Sequence, residues 1–185
     1  MSLVGIAKLA AESPVLESKA AVEYRELESR RWISRCSGQD MPFEWTINPY
    51  RGCEFACQYC YARYTHEFMD LSPTDDFETK IFAKQWSRSA FASELRRIPR
   101  TDTIAIGSAT DPYQPAERRY GNTRNMLEIF AGESGRKIYL ITKSDLIQRD
   151  IDLLSEIQRR NRLMIQVTVT TLDRDLARML EPKAP

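Results

Sequence analysis

Short apolar runs of strand character alternate along this chain with amphipathic segments of helical period. "FEWTIN", Phe43 to Asn48, alternates apolar and polar positions as a half-buried strand does, and Pro49 and Gly52 end it. "YARYTHEFMD" then suits a helix, and "DFETKIFAK" reads as a loop or short strand. "QWSRSAFASELRRI" spaces Trp86, Ala90, Phe91 and Leu95 helically and stops at Pro99. Thr103 to Gly107 predicts a buried strand that runs into a polar turn, and Asn122 to Ala131 a helix closed by Gly132. "RKIYLITKSD" is another apolar run ending in polar residues. Asp145 to Arg160 returns to helical spacing through Leu146, Ile147, Ile151, Leu154 and Ile157. "RLMIQVTVTTLD" is a further strand-like run, followed by a helix from about Asp173 to Leu180. Asp145 and Asp173 stand where helix caps are expected.

Upstream, residues 1–40 read as an N-terminal extension, partly helical, with helical character around Val22 to Trp32 that "SGQDMP" breaks. Residues 41–185 form the expected core. Strands alternating with helices argue for βαβ units on a parallel sheet, and right-handed crossovers place the helices on one face of a curved sheet or barrel. The predicted class is α/β, a partial, TIM-like barrel of about four βα units. Polar residues gather just after the strands, at Asn48–Arg51, Ser108–Asp111, Lys143–Ser144 and Thr168–Thr171. In parallel α/β folds that is the end where ligands bind.

Composition narrows the function classes. A 42% hydrophobic and 29% charged chain is globular rather than disordered. Its 27 basic and 26 acidic side chains leave a net charge of +1, so bulk charge favours neither nucleic acid nor membrane. The Arg pairs at 30–31, 96–97, 118–119 and 159–160 read as solvated helix faces. No run approaches the roughly 18 apolar residues of a membrane helix, and the N-terminus lacks the order of a signal peptide. A reducing cytoplasm is the default compartment, where disulfides do not persist, so the four cysteines need another explanation.

Three of them lie in "NPYRGCEFACQYCYAR" as Cys53, Cys57 and Cys60. Three thiolates on a short loop can converge on a soft metal centre. A structural zinc usually takes four ligands, with Cys36 or His66, the only histidine, as the fourth. Three thiolates on a four-iron cluster would instead leave one iron open to a substrate or cofactor. Cys36, near Trp32 and Ile33, reads more simply as a small core residue. His66 is a ligand, a proton donor or a packing residue. Arg51 and Arg63 flank the loop, either pairing with acids such as Glu54 and Glu67 or tuning a cluster by charge. The aromatic set Phe43, Trp45, Phe77, Phe82, Trp86 and Phe91 is most simply core.

The spacing Cys53-x-x-x-Cys57-x-x-Cys60, with Tyr59 before the last cysteine, resembles the cluster motif of the radical S-adenosylmethionine (radical SAM) superfamily. Its position after a first strand agrees with that family's partial barrel of six βα units. "IAIGSATDPYQPAE", "YLITKSDLIQRDIDLL" and "VTVTTLDRDLARMLEP" extend the resemblance over roughly 41–185, toward bacterial proteins related to spore photoproduct lyase, often labelled DNA repair photolyase-like. The resemblance implies that Cys53, Cys57 and Cys60 hold a [4Fe-4S] cluster whose open iron chelates S-adenosylmethionine. One-electron cleavage then releases a 5′-deoxyadenosyl radical that abstracts hydrogen from a substrate. It implies Tyr59 near the adenine, and Ser108, Thr110 and Asp111 as candidates for the methionyl ammonium. Lys143 would meet the cofactor carboxylate or ribose, with Ser144 beside it, and Thr168 the ribose. It further implies an electron donor such as flavodoxin or ferredoxin, and DNA or RNA as a candidate substrate. Two departures stand out. Spore photoproduct lyases carry a hydrogen-donating cysteine where this chain has Ser108, a far poorer donor. The chain also holds about four βα units rather than six, which leaves a sheet edge and apolar face to be covered by a partner, an oligomer or a missing C-terminal part. The alternative to an enzyme is a non-catalytic iron–sulfur or zinc-binding module.

Overall fold

A computed structural model describes residues 4–19, 22–29, 31–36, 38 and 40–185. In chain order the elements are helix α1 (Gly5–Glu12), strands β1 (Val15–Lys19), β2 (Val22–Leu27), β3 (Ile33–Arg35), β4 (Trp45–Ile47) and β5 (Tyr50–Arg51), and a 3-10 helix, Tyr61–Met69. Then come β6 (Lys80–Lys84), α2 (Arg88–Arg96), β7 (Thr103–Ile106), the short α3 (Glu117–Tyr120), α4 (Asn122–Ala131) and β8 (Lys137–Thr142). A second 3-10 segment, Asp145–Asp150, leads into α5 (Ile151–Arg160), β9 (Arg162–Val167) and α6 (Arg174–Leu180).

The strands form two open sheets, not the single sheet the alternation predicts. One has the order β3-β4-β7-β8-β9, with β4, β7, β8 and β9 mutually parallel and β3 antiparallel at its edge. The other has the order β1-β2-β6-β5. The fold is mixed α/β, and no sheet closes into a barrel among the described residues. The main core lies on the helical side of the parallel sheet. Ile47, Ile104, Ile106, Ile138 and Leu140 from the strands meet Phe91 and Leu95 of α2, Met126, Leu127 and Phe130 of α4, and Leu154 and Ile157 of α5. The alternate positions of the same strands face the other way. Beyond β9 the sheet has an uncovered edge among the described residues, and Met164, Ile165 and Val167 are exposed.

The helix expected around Val22 to Trp32 is not there: Val22–Leu27 is strand β2, pairing in parallel with β6 from Glu23↔Lys80 to Leu27↔Lys84, and Arg30 lies outside the described residues. The misreading has a physical source. Tyr24 and Leu27 are both buried, but in different clusters, Tyr24 with Tyr50 and Ile81, Leu27 with Ala10, Met69 and Phe82. A strand buried on both faces shows apolar residues three apart, which imitates a helix. "DFETKIFAK" resolves as the same sheet's inner strand β6. The long helix over Asp145 to Arg160 divides at Asp150, whose backbone leaves the helical region and whose carboxylate pairs with both Arg124 and Arg149. The expected cap at Asp145 falls one residue earlier: the Ser144 hydroxyl accepts from the Leu146 N–H, and Asp145 is exposed. Asp173 does cap α6, accepting from the N–H groups of Asp175 and Leu176.

Candidate functional site

The carboxyl ends of β4, β7, β8 and β9 lie side by side, and the loops leaving them are stitched together by polar side chains. Asn48, just past β4, accepts through Oδ1 from the N–H of Ala109 at 2.8 Å and of Thr110 at 3.3 Å. Its amide donates to the Ser108 hydroxyl at 3.2 Å, and that hydroxyl also bonds to Thr46. Asp111 joins the β7 and β8 loops. It accepts from the Thr142 hydroxyl at 2.7 Å, the Lys143 N–H at 2.8 Å and the Tyr113 N–H at 2.9 Å. Burial pushes the Asp111 carboxyl pKa up, against the opposing pull of those donors. The Thr168 N–H reaches the Thr142 carbonyl at 2.9 Å, which ties in β9. Gly107 opens the β7 loop at φ +91°, and a Cβ there would lie 2.4 Å from the Ile141 carbonyl oxygen. Only glycine permits that approach of β7 to β8.

The cysteine loop crosses the same end. Gly52 turns into it at φ +78°, with backbone carbonyls of Phe77 and Lys80 where a Cβ would stand, at 2.7 and 2.9 Å. Gln114, fully buried, holds the loop from the β7 side by accepting from the Glu54 N–H at 3.1 Å and donating to the Gly52 carbonyl at 2.9 Å. Arg63 donates to the Cys57 carbonyl at 3.2 Å and pairs with Glu78 at 2.9 Å rather than with Glu67. Cys53, Cys57 and Cys60 are free thiols that line a common cavity of about 190 Å³ with Phe55, Tyr59, Ser108, Thr110, Asp111, Lys143 and Thr168. Burial pushes the Cys53 and Cys57 thiols up; Lys143 beside Cys57 works against that rise.

The structure therefore brings nine of the ten sequence-selected residues to one cavity. The tenth, Ser144, lies outside it, buried and spent on its cap. Within the cavity, the Thr110 hydroxyl donates to the Tyr50 carbonyl at 3.2 Å. The Lys143 ammonium donates to the Tyr59 hydroxyl at 2.9 Å, lies 5.2 Å from that ring's centroid, and pairs with Glu181. Burial opposes its charge, but the bonds to Glu181 and Tyr59 prevail and raise its pKa. Glu181, which also accepts from Thr170, was not legible in the sequence; it follows α6 with no motif around it. The segment after α6 lies against the cysteine loop, with the Gln58 N–H on the Leu180 carbonyl at 2.9 Å.

His66 is not among the thiols. It is fully buried between Phe77 and Phe82, its Nε2 3.1 Å from the Lys80 carbonyl oxygen, and burial lowers its pKa. Among the described residues no three Cys, His, Asp or Glu side chains converge as the ligands of one ion would. A tetrahedral zinc bound at ~2.3 Å would hold its thiolates about 3.8 Å apart. A four-iron cluster binds each thiolate to a different iron and spreads them wider. Three soft donors in one cavity beside a cation fit such a cluster with a cofactor that presents a carboxylate. No helix among the described residues is long and apolar enough to cross a membrane.

The chain is similar to several known proteins. An uncharacterized protein of Mycobacterium tuberculosis is 38% identical over 146 residues, 78% of this chain and 43% of its own length. An uncharacterized protein of Methanocaldococcus jannaschii is 26% identical over 147 residues, 77% of this chain and 50% of its own. The chain thus spans half or less of the length of these relatives. A spore photoproduct lyase mutant solved with dinucleoside spore photoproduct shares the fold with a TM-score of 0.60 at 15% identity, over 85% of this chain and 42% of that one. The radical SAM superfamily model matches residues 47–185, which include all three loop cysteines, the last residue of β4 and the whole of β7, β8 and β9. The chain belongs to the radical SAM superfamily.

Proposed function

We propose that the chain is a radical SAM enzyme whose Cys53, Cys57 and Cys60 hold a [4Fe-4S] cluster and whose strand-end loops hold S-adenosylmethionine. The observation that carries this reading is the meeting of the three thiols with Lys143 and the β7 loop in one cavity. When bound, the pair supplies a one-electron cleavage that yields a 5′-deoxyadenosyl radical. The chain's own residues have simpler tasks. Lys143 offers the cofactor carboxylate a charge-assisted partner, with Tyr59 beside it as a ring to stack on. Thr168 offers a hydroxyl to the ribose. Asp111 fixes the β7 and β8 loops while presenting negative charge near the methionyl ammonium, with Ser108 and Thr110 on either side of Ala109. Ser144 acts indirectly, by capping the turn that follows Lys143.

In this reading residues 41–185 are the radical SAM core, residues 1–40 its extension, and β4, β7, β8 and β9 the first strands of a partial barrel. The electron donor is a flavodoxin or ferredoxin, the compartment the reducing cytoplasm. The substrate class is nucleic acid, in a lyase-type repair or modification reaction. Ser108, bonded to Thr46 and Asn48, replaces a thiol as hydrogen donor, so direct thymine-dimer reversal needs another donor.

Anaerobic reconstitution tests the proposal. It predicts a brown protein with about four irons per chain and dithionite-dependent 5′-deoxyadenosine. A colourless protein binding one zinc refutes it. One observation favours a second reading, a non-catalytic iron–sulfur module: Lys143 already has a carboxylate partner in Glu181. A fully loaded cluster that forms no 5′-deoxyadenosine selects that module. Restored thymines in UV-damaged DNA incubated with loaded enzyme would support the lyase assignment.

A further inference from the structure

A larger cavity, about 610 Å³, lies away from the thiols, under α1 and against the sheet that carries β5 and β6. Arg51 opposes Phe82 across the β5–β6 pair, and Lys84 follows two residues on, so all three share one sheet face. The Arg51 Nε is buried without a hydrogen-bond partner, and no carboxylate among the described residues pairs with its guanidinium; Glu54 bonds to Tyr24 instead. Lys84 is only 8% exposed. Its ammonium donates to the Arg31 carbonyl at 3.2 Å and lies 5.4 Å from the Trp32 ring. Burial, with Arg51 nearby, brings its pKa down to about 7.

The acids nearby form no ion pair with these cations among the described residues, although the Glu94 charge favours the Lys84 ammonium. Glu94 is engaged by the N–H groups of Trp32 and Ile33 at 3.0 to 3.1 Å. Glu12 lies 3.7 Å from Lys8, and Glu28 is exposed. Two buried like charges without an ion-pair partner are costly. A ligand that brings two negative charges removes the cost. A planar guanidinium fork, an ammonium and the Ser34 hydroxyl on the cavity wall match the tetrahedral oxygens of phosphate.

We propose that this cavity is a binding site for a phosphate group held between Arg51 and Lys84, separate from the thiol cavity. The phosphate belongs either to a nucleic-acid backbone or to a small phosphorylated molecule. The test is thermal unfolding of the full chain titrated with inorganic phosphate, against sodium chloride at matched ionic strength. Wild type should show a saturable rise in Tm. Lys84→Met should bind phosphate about tenfold or more weakly, because one of two charged partners is gone. Lys84→Gln, which keeps a polar head, serves if the methionine variant does not fold. No rise beyond the chloride control, or equal rises in wild type and variant, overturns the site. A single-stranded oligonucleotide that competes with phosphate upholds it and assigns the backbone. Phosphate binding that the oligonucleotide leaves untouched upholds it and assigns a small phosphorylated ligand.

Discussion

Replacing Gly107 with alanine probes how tightly the β7 and β8 strand ends are held together around the thiol cavity. The added Cβ would stand 2.4 Å from the Ile141 carbonyl oxygen and 2.6 Å from Pro112 Cδ. Neither neighbour is the free end of a flexible side chain: one is backbone of β8, the other a ring in the same loop. The backbone must also keep φ at +91°, which costs an L-residue roughly 1–2 kcal/mol. Relieving an overlap of this kind in a packed region typically costs a further ~1–3 kcal/mol. The sum is roughly 2–5 kcal/mol, a large part of the ~5–15 kcal/mol that holds such a domain folded. For a chain of this length it should lower Tm by roughly 5–20 °C. Urea unfolding followed by tryptophan fluorescence measures it, because Trp32 lies in the main core. Gly132→Ala is the matched control. That residue sits at φ −80° with its nearest atom, the Ile129 carbonyl oxygen, at an ordinary 3.4 Å, so it should lose little. If Gly107→Ala unfolds within about 1 kcal/mol of wild type, the close approach of β7 to β8 is not what shapes the cavity.

Asp111→Ala strips the acceptor from Thr142, Lys143 and Tyr113, and should cost about 2–4 kcal/mol in urea unfolding together with a loss of S-adenosylmethionine binding; a stable variant with unchanged binding would remove Asp111 from the site. Lys84→Met should stabilise the phosphate-free protein most at and below pH 7. The native pKa of about 7 lies below the ordinary 10.5, so the unfolded chain binds a proton that the native state does not, and wild-type stability rises with pH across that window. The full effect corresponds to roughly 4–5 kcal/mol and fades above pH 10.5, and a difference independent of pH would contradict the buried ammonium. Glu181→Gln should free Lys143 and tighten S-adenosylmethionine binding several-fold by calorimetry, whereas weaker binding would make Glu181 a positioning residue for Lys143. Cys57→Ser should lower iron content after anaerobic reconstitution well below wild type while far-ultraviolet circular dichroism stays unchanged; full iron loading would exclude Cys57 as a ligand.

Much of this protein is determined by its sequence alone. The alternation of strand-like and helical periods dictates the parallel sheet, because strands buried under helices need apolar runs and their covering helices need one apolar stripe. The cysteine spacing places three thiols on one short loop, and the polar residues at strand ends follow from the direction that parallel strands impose. Tertiary structure decided the rest. The pairing of β2 with β6 in a second sheet joins residues some 57 positions apart, as in Glu23↔Lys80, a separation that no local period encodes. Whether Lys143 faces Glu181, and whether Arg51 faces Lys84 rather than an acid, depends on side chains that meet only after the strands have paired. Periodicity reports which face of an element is buried, while charge pairing across the fold is set by where separate elements come to lie.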